Sequence, residues 1–228
     1  MKAKLNASQY NVASSDSLSV RLAHVQRRKM FEAFIRAMEP QSTDRVLDVG
    51  ATGDRSYCHS NYLESWYRWK ECLTATGIDS DAAFLQEEYA GLRFVLADGR
   101  SLPFRDRTFD FVHSSAVLEH VGSRTQQVRF LGEIWRVARR GIFVTTPNRW
   151  FPVEFHTMLP LVHWLPAAVF RRLLNCTGRA FFAREENLNL LSPRTLASAV
   201  HEAGIDSYRI STVEILGWPT NLLLTAKR

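Results

Sequence analysis

Cysteine is scarce in this chain. Cys58, Cys72 and Cys176 are the only three in 228 residues, an odd count without CxxC spacing, which argues against a disulfide framework or a thiolate metal site and predicts reduced thiols. The first seventeen residues, MKAKLNASQYNVASSDS, contain no apolar core, so no secretory signal is expected there. No stretch reaches the ~18 uninterrupted apolar residues of a membrane span. A cytoplasmic protein is therefore expected. Internal repeats and low-complexity segments are lacking, and so is any massed block of one charge. The net charge of +6 and pI near 9.5 suit an anionic partner such as nucleic acid, a membrane surface or a phosphorylated substrate. The cations nevertheless come in small groups, Arg27-Arg28-Lys29, Arg139-Arg140 and Arg171-Arg172, which read as solvated surface more readily than as a binding patch.

What is present is ordinary globular material, with 46% hydrophobic and 23% charged residues, and enough chain for one domain carrying an insertion. The chain is organised around Arg45–Arg55, RVLDVGATGDR. Val46, Leu47 and Val49 suit a buried parallel strand that stops abruptly at Gly50. A strand that breaks at glycine before a helix lets a ligand approach the backbone. A second apolar stretch ends in Thr76-Gly77-Ile78-Asp79, and a third in Ala97-Asp98-Gly99. A carboxylate after the second strand of such a fold is placed to accept both ribose hydroxyls of a nucleoside.

The remaining segments extend the alternation. A leading helix is predicted over 18–38, ended by Pro40, and another over 57–70; residues 1–17 are expected to be poorly ordered. Strands are predicted at 45–50, 74–79, 92–97, 109–114 and 141–146, with helices over 81–90 and 123–138. Residues 149–190 break the rhythm, because Trp150, Phe151, Phe155, Trp164 and Leu165 are interleaved with Pro152, Pro160 and Pro166. That stretch reads as an insertion. A Ser192-Pro193 start marks a further helix, and two strands near 208–216 and 221–226 close the chain. The fold class expected is α/β, a doubly wound, mostly parallel sheet.

The order of strand ends resembles the class I S-adenosylmethionine-dependent methyltransferases, in particular the methyltransferase type 11 group. The carriers are VLDVG at 46–50, GIDS at 77–80, ADGRSLPF at 97–104, FDFVHSSAVLEHV at 109–121 and RGIFVTTPN at 140–148. The resemblance implies a Rossmann-like sheet of about seven strands with the last antiparallel, and S-adenosylmethionine as cofactor. It further implies that Asp48, Gly50 and Gly53 line the methionine part and that Asp79 holds the ribose, with Ser80 beside it. Asp98 and Gly99 would meet the adenine, and Ser114 and Ser115 would pass near the sulfonium. The family's loop usually has glycine two and four positions after the first; here Thr52 and Asp54 stand there, with Gly53 between them. Asp54 near a ligand carboxylate is unfavourable unless Arg55 or another cation offsets it.

The donor is already activated, so the enzyme's task is alignment and exclusion of water, with a base added for an oxygen acceptor. Candidates are Glu119 and His120 after the fourth strand and Glu154 and His156 in the insertion, where ligand sites of this architecture open. His156 is the preferred base; a structural hydrogen bond is the competing role, and for His120 a contact to the cofactor or a helix cap. His163 has a mostly apolar neighbourhood and is expected in the core or at an interface. No metal is expected. The insertion, 149–190, is expected to cap an acceptor pocket, with an oligomer contact or a peripheral membrane contact through 150–172 as alternatives. The acceptor expected is a small molecule or a glycan- or lipid-type compound, methylated on oxygen. Nucleic acid is disfavoured, since His113-Ser114-Ser115-Ala116 is not the Asn/Asp-Pro-Pro-aromatic segment that stacks a base. Two rivals stand beside this reading. An NAD(P)-dependent oxidoreductase would need GxGxxG and an acid ~20 residues later; a non-catalytic scaffold would merely retain the S-adenosylmethionine pocket.

Overall fold

The protein is described by a computed structural model covering residues 18–55 and 60–228. The disorder expected over 1–17, and the start of the helix expected from Tyr57, lie outside the described residues. Strands β1 (Val46–Val49), β2 (Leu73–Gly77), β3 (Arg93–Leu96), β4 (Phe109–Ser115), β5 (Ala138–Pro147), β6 (Tyr208–Ile215) and β7 (Trp218–Lys227) form one seven-stranded sheet. Its order is β3-β2-β1-β4-β5-β7-β6. Pairings from β3 through β5 are parallel, while β7 runs antiparallel to both β5 and β6. Strand order reverses at β1, and there the C-terminal ends of β1 and β4 open a crevice.

Alternation along the strands sorts residues between two cores. Leu47 and Val49 face a cluster with helix α4 (Arg124–Val137) and helix α6 (Pro193–Glu202), through Phe130, Leu131, Ile134, Leu196 and Val200. Val46 faces the other side, against Phe34 and Met38 of helix α1 (Leu18–Met38) and Leu63 of helix α2 (Tyr62–Trp66). Each such side chain contributes about 1.5–3 kcal/mol of burial energy. Helix α6 starts as its sequence predicts: Ser192 and Thr195 cap each other reciprocally, and Pro193 occupies the first turn.

Two helices are shorter than expected. Within 57–70 the described residues, 60–70, form α2 and the start of a separate turn, because the chain becomes extended at Tyr67. The Lys70 ammonium then bonds the carbonyl oxygens of Glu64, Ser65 and Tyr67, satisfying the end that a continued helix would have paired. The 81–90 helix divides into a 3₁₀ turn at Ser80–Ala83 and helix α3 (Phe84–Glu88), with Asp79 accepting from the Asp81 N–H at the start. The 149–190 insertion begins and ends side by side through the bridge of Asn148 with Leu191. It holds helix α5 (Ala167–Cys176) and a small core of its own, Phe170, Leu174, Phe182 and Leu188. Trp150, Leu161, Trp164, Leu165, Val169 and Leu173 stay exposed on it. Its His163, expected in the core or at an interface, is buried and bonds the Phe151 carbonyl oxygen at 2.8 Å.

Candidate active site

The break after β1 is built by close backbone approach. Gly50 has φ +114°, and a Cβ there would stand 2.0 Å from Val117 Cγ2; no other residue fits. The N–H groups of Gly50 and Ala51 both donate to the Thr76 carbonyl at 2.8 Å. Thr52, in a glycine's place, is held by Asn61, whose side chain accepts from the Thr52 N–H at 2.9 Å and donates to its carbonyl at 2.8 Å. The Arg55 guanidinium lies 3.9 Å from the Phe84 ring centroid, and the buried Asp54 does not line the cavity described next.

A cavity of about 510 Å³ opens along this edge. Gly50, Asp79, Asp98, Gly99 and Ser115, expected at a nucleoside site, line it, and so do His120 and His156. The other expected residues do not. The Asp48 carboxylate turns to the far face of the sheet and hydrogen-bonds His113 Nδ1, while His113 Nε2 meets the Tyr62 hydroxyl at 2.9 Å. Burial raises the Asp48 pKa to about 7 and lowers that of His113 to about 4. The Ser114 hydroxyl is fully buried and donates to the Val49 carbonyl at 2.7 Å. Ser80 is exposed in the turn after Asp79. Gly53 packs on that turn instead, where an added Cβ would lie 2.9 Å from Asp79 Oδ2. Glu154 sits behind His156 rather than in the cavity wall.

Other lining residues escaped the sequence reading. Arg100 grips Asp98 in a two-pronged ion pair, Nε to Oδ1 at 2.9 Å and Nη2 to Oδ2 at 2.6 Å, which holds the Asp98 carboxyl below its ordinary pKa. Its place two residues after the acid was the available signal. Arg27 from α1, and Glu186 and Asn187 from the end of the insertion, reach the cavity only through tertiary packing.

One end of the cavity carries a chain of polar groups. His120 Nδ1 donates to the Asn187 carbonyl at 2.6 Å, and His156 Nδ1 donates to Glu154 Oε1 at 2.7 Å. The two Nε2 atoms face each other at 3.0 Å, which requires one proton between them. Neutral His120 has its proton on Nδ1, which assigns the shared proton to His156. The charges agree: burial and the His156 charge push His120 down to about 3, whereas the Glu154 carboxylate holds His156 above its ordinary value despite burial. Burial opposes the Glu154 charge as well, but His156 and the N–H groups of His156 and Thr157, at 2.9 and 2.6 Å, keep its pKa low. Glu119 lies alongside, fully buried. Its Oε2 accepts from the Thr146 hydroxyl at 2.9 Å, and burial raises its pKa to about 7.

Comparison with known proteins decides the family. Residues 47–145 match the family model described as "Methyltransferase domain". A demethylmenaquinone methyltransferase of Roseiflexus castenholzii is 30% identical over 186 residues, 75% of this chain and 72% of that one. The chain belongs to the class I S-adenosylmethionine-dependent methyltransferases. A further relative, the ubiquinone/menaquinone biosynthesis C-methyltransferase of Xylella fastidiosa, is 30% identical over 154 residues, 61% of each chain. Among solved structures, the magnesium protoporphyrin IX methyltransferase of Synechocystis, with bound S-adenosylhomocysteine, has a TM-score of 0.58 at 14% identity, covering 96% of this chain and 91% of its own. A methyltransferase of Aquifex aeolicus gives 0.58 at 13%, covering 93% and 99%. The dinucleotide reading is thereby set aside, and the cofactor of this methyltransferase is S-adenosylmethionine. Its pocket suits such a ligand: besides Gly50, glycines 77 and 99 border it where a Cβ would strike Ala51 O at 2.3 Å and Phe130 Cε2 at 2.4 Å. None of the described helices is long and apolar enough to cross a membrane.

Proposed function

We propose that this methyltransferase acts on a small hydroxylated aromatic or enolic acceptor, of the quinol or phenol type, taken in its ionised form. The observation that carries this reading is the placement of His156, whose Nδ1 meets Glu154 at 2.7 Å and whose Nε2 meets His120 at 3.0 Å, in one cavity with Asp79 and Gly99. S-adenosylmethionine supplies a methyl group already activated on a positive sulfonium. The chain's own residues therefore bind and orient. Asp79 is assigned to the ribose hydroxyls, Gly50 and Ser115 to the methionine end, and Asp98, clamped by Arg100, and Gly99 to the base. The 149–190 insertion is assigned as the cap of the acceptor end, to which it contributes His156 and Asn187.

His156 was expected as a general base. With one N–H on Glu154 and the other on His120 it has no lone pair to offer, so we assign it the opposite part. A buried cation favours the ionised form of an acceptor hydroxyl through its charge alone. An ionised ring of this kind is nucleophilic at oxygen and at the adjacent carbon; transfer to carbon releases S-adenosylhomocysteine, and the ring proton on that carbon is then lost to solvent as aromaticity returns. The names of the relatives, demethylmenaquinone methyltransferase and a C-methyltransferase, favour carbon over the O-methylation expected from sequence. The test is incubation with S-adenosylmethionine and a panel of reduced quinones and simple phenols. S-adenosylhomocysteine release is measured and the products are mapped by NMR. A ring methyl on a quinol is the expected outcome; a methyl ether places transfer on oxygen. Turnover only with acceptors lacking an ionisable hydroxyl would sink the reading.

A further inference from the structure

Both imidazoles at the acceptor end are held from behind, and both turn the same atom toward one point. The Nδ1 of His120 is tied to the Asn187 carbonyl at 2.6 Å and the Nδ1 of His156 to Glu154 at 2.7 Å. Glu119 repeats the pattern: Oε2 is tied to the Thr146 hydroxyl at 2.9 Å, while Oε1, fully buried, has no hydrogen-bond partner among the described residues. That oxygen lies 3.8 Å from His120 Nε2, the Nε2 atoms are 3.0 Å apart, and the three atoms all fall within 4.8 Å of one another. Ligands 2.0–2.1 Å from a tetrahedral ion stand about 3.3 Å apart, so small side-chain movements complete the set. An outer partner on the far atom of every ligand is how metal sites orient imidazole and carboxylate.

From this geometry we infer that Glu119, His120 and His156 form a binding site for one divalent first-row transition ion of the zinc or iron(II) kind. Two imidazole nitrogens and one carboxylate oxygen are a donor set for such ions and not for magnesium or calcium. The ion replaces the proton between the two Nε2 atoms, so the positive charge stays where the acceptor meets it. With three protein ligands a fourth position remains for an exogenous oxygen, and His120 and His156 border the cavity from which one would come. Resting on the proposed acceptor chemistry, the site would bind the acceptor hydroxyl and ease its ionisation. The sequence showed neither the ligand set nor the metal, since Glu119-His120 and His156 lie in separate segments without a ligand-like spacing.

The test uses the full chain, stripped by a chelator and free of donor and acceptor. Zn²⁺ affinity is measured by competition with a chromogenic chelator, Co²⁺ coordination by visible absorption, and Mg²⁺ serves as the hard-ion control. One Zn²⁺ per chain is expected, with a Co²⁺ spectrum of low coordination number and no competition from Mg²⁺. His156→Gln and Glu119→Gln should abolish high-affinity binding, and Glu154→Gln should weaken it about 10–100-fold. Thermal melting and S-adenosylmethionine calorimetry establish that each variant is folded. Absence of Zn²⁺ binding by the unaltered protein overturns the site, as does unchanged affinity in a folded ligand variant. Should a ligand variant not fold, a Co²⁺ spectrum of the unaltered protein without imidazole coordination is decisive against it. A protein that releases S-adenosylhomocysteine yet binds no Zn²⁺ refutes the metal site alone; one that binds Zn²⁺ but transfers no methyl group to any hydroxylated acceptor refutes the acceptor reading alone.

Discussion

Gly99 and Phe130 are packed so closely that a Cβ on the glycine would stand 2.4 Å from Cε2 of the ring. Gly99 follows β3, Phe130 belongs to α4 and is fully buried, and together they border the cavity. Gly99→Ala must push the ring into a filled core or the loop into the cavity. Overpacking of this kind costs about 1–3 kcal/mol. We expect a lower Tm and at least tenfold weaker S-adenosylmethionine binding by calorimetry. Unchanged values for both would refute a rigid wall here.

Asp79 has two tasks that substitution can separate. Its Oδ1 caps the following turn through the Asp81 N–H at 3.0 Å, and the residue lines the cavity. Asn caps as well as Asp but keeps only one acceptor oxygen. Asp79→Asn should therefore melt within a few degrees of the parent while losing about tenfold or more in S-adenosylmethionine affinity. Asp79→Ala should abolish binding. Normal binding by the Ala variant removes Asp79 from the ribose.

Glu154 is the group whose carboxylate holds the His156 pKa above its ordinary value against burial. Glu154→Gln leaves the cavity lining intact and withdraws that charge. Donor affinity should stay within about twofold, and turnover of a reduced quinone should fall at least tenfold. Full turnover in Glu154→Gln would mean that the His156 cation has no part in transfer.

Glu64 on α2 gives a pH signature. It is buried beside Asp48, and burial, reinforced by the charge of Asp48 and a side-chain hydrogen bond to it, raises its pKa well above 4.5. A group whose pKa rises on folding adds stability that is complete below its unfolded value and is lost as pH climbs toward the folded one. Glu64→Gln removes that loss. The variant should gain in Tm relative to the parent as pH rises above about 5; parallel curves would show that the carboxyl titrates in the folded protein as it does in the unfolded chain.

The linear chain carried the frame of this protein. Val46–Val49 and its glycine break, the acids after β2 and β3, and the amphipathic run of α4 are local patterns, and a buried parallel strand or a helix face is set by residues two to four positions apart. The same alternation contained a warning about Asp48 and Ser114. Leu47 and Val49 face one core, so Asp48 between them faces the other and meets His113; the family resemblance outweighed that signal. The length of α2 was decided by Lys70, whose ammonium reaches back over three carbonyls, a contact that no periodicity encodes. Tertiary structure alone decided the end of the cavity that carries the two histidines. His120 and His156 are 36 positions apart and touch because the insertion returns beside the end of β4. That return also brings Glu154 and the Asn187 carbonyl behind the rings. Protonation follows from which partner lies behind each nitrogen, and such neighbours exist only once the chain has folded.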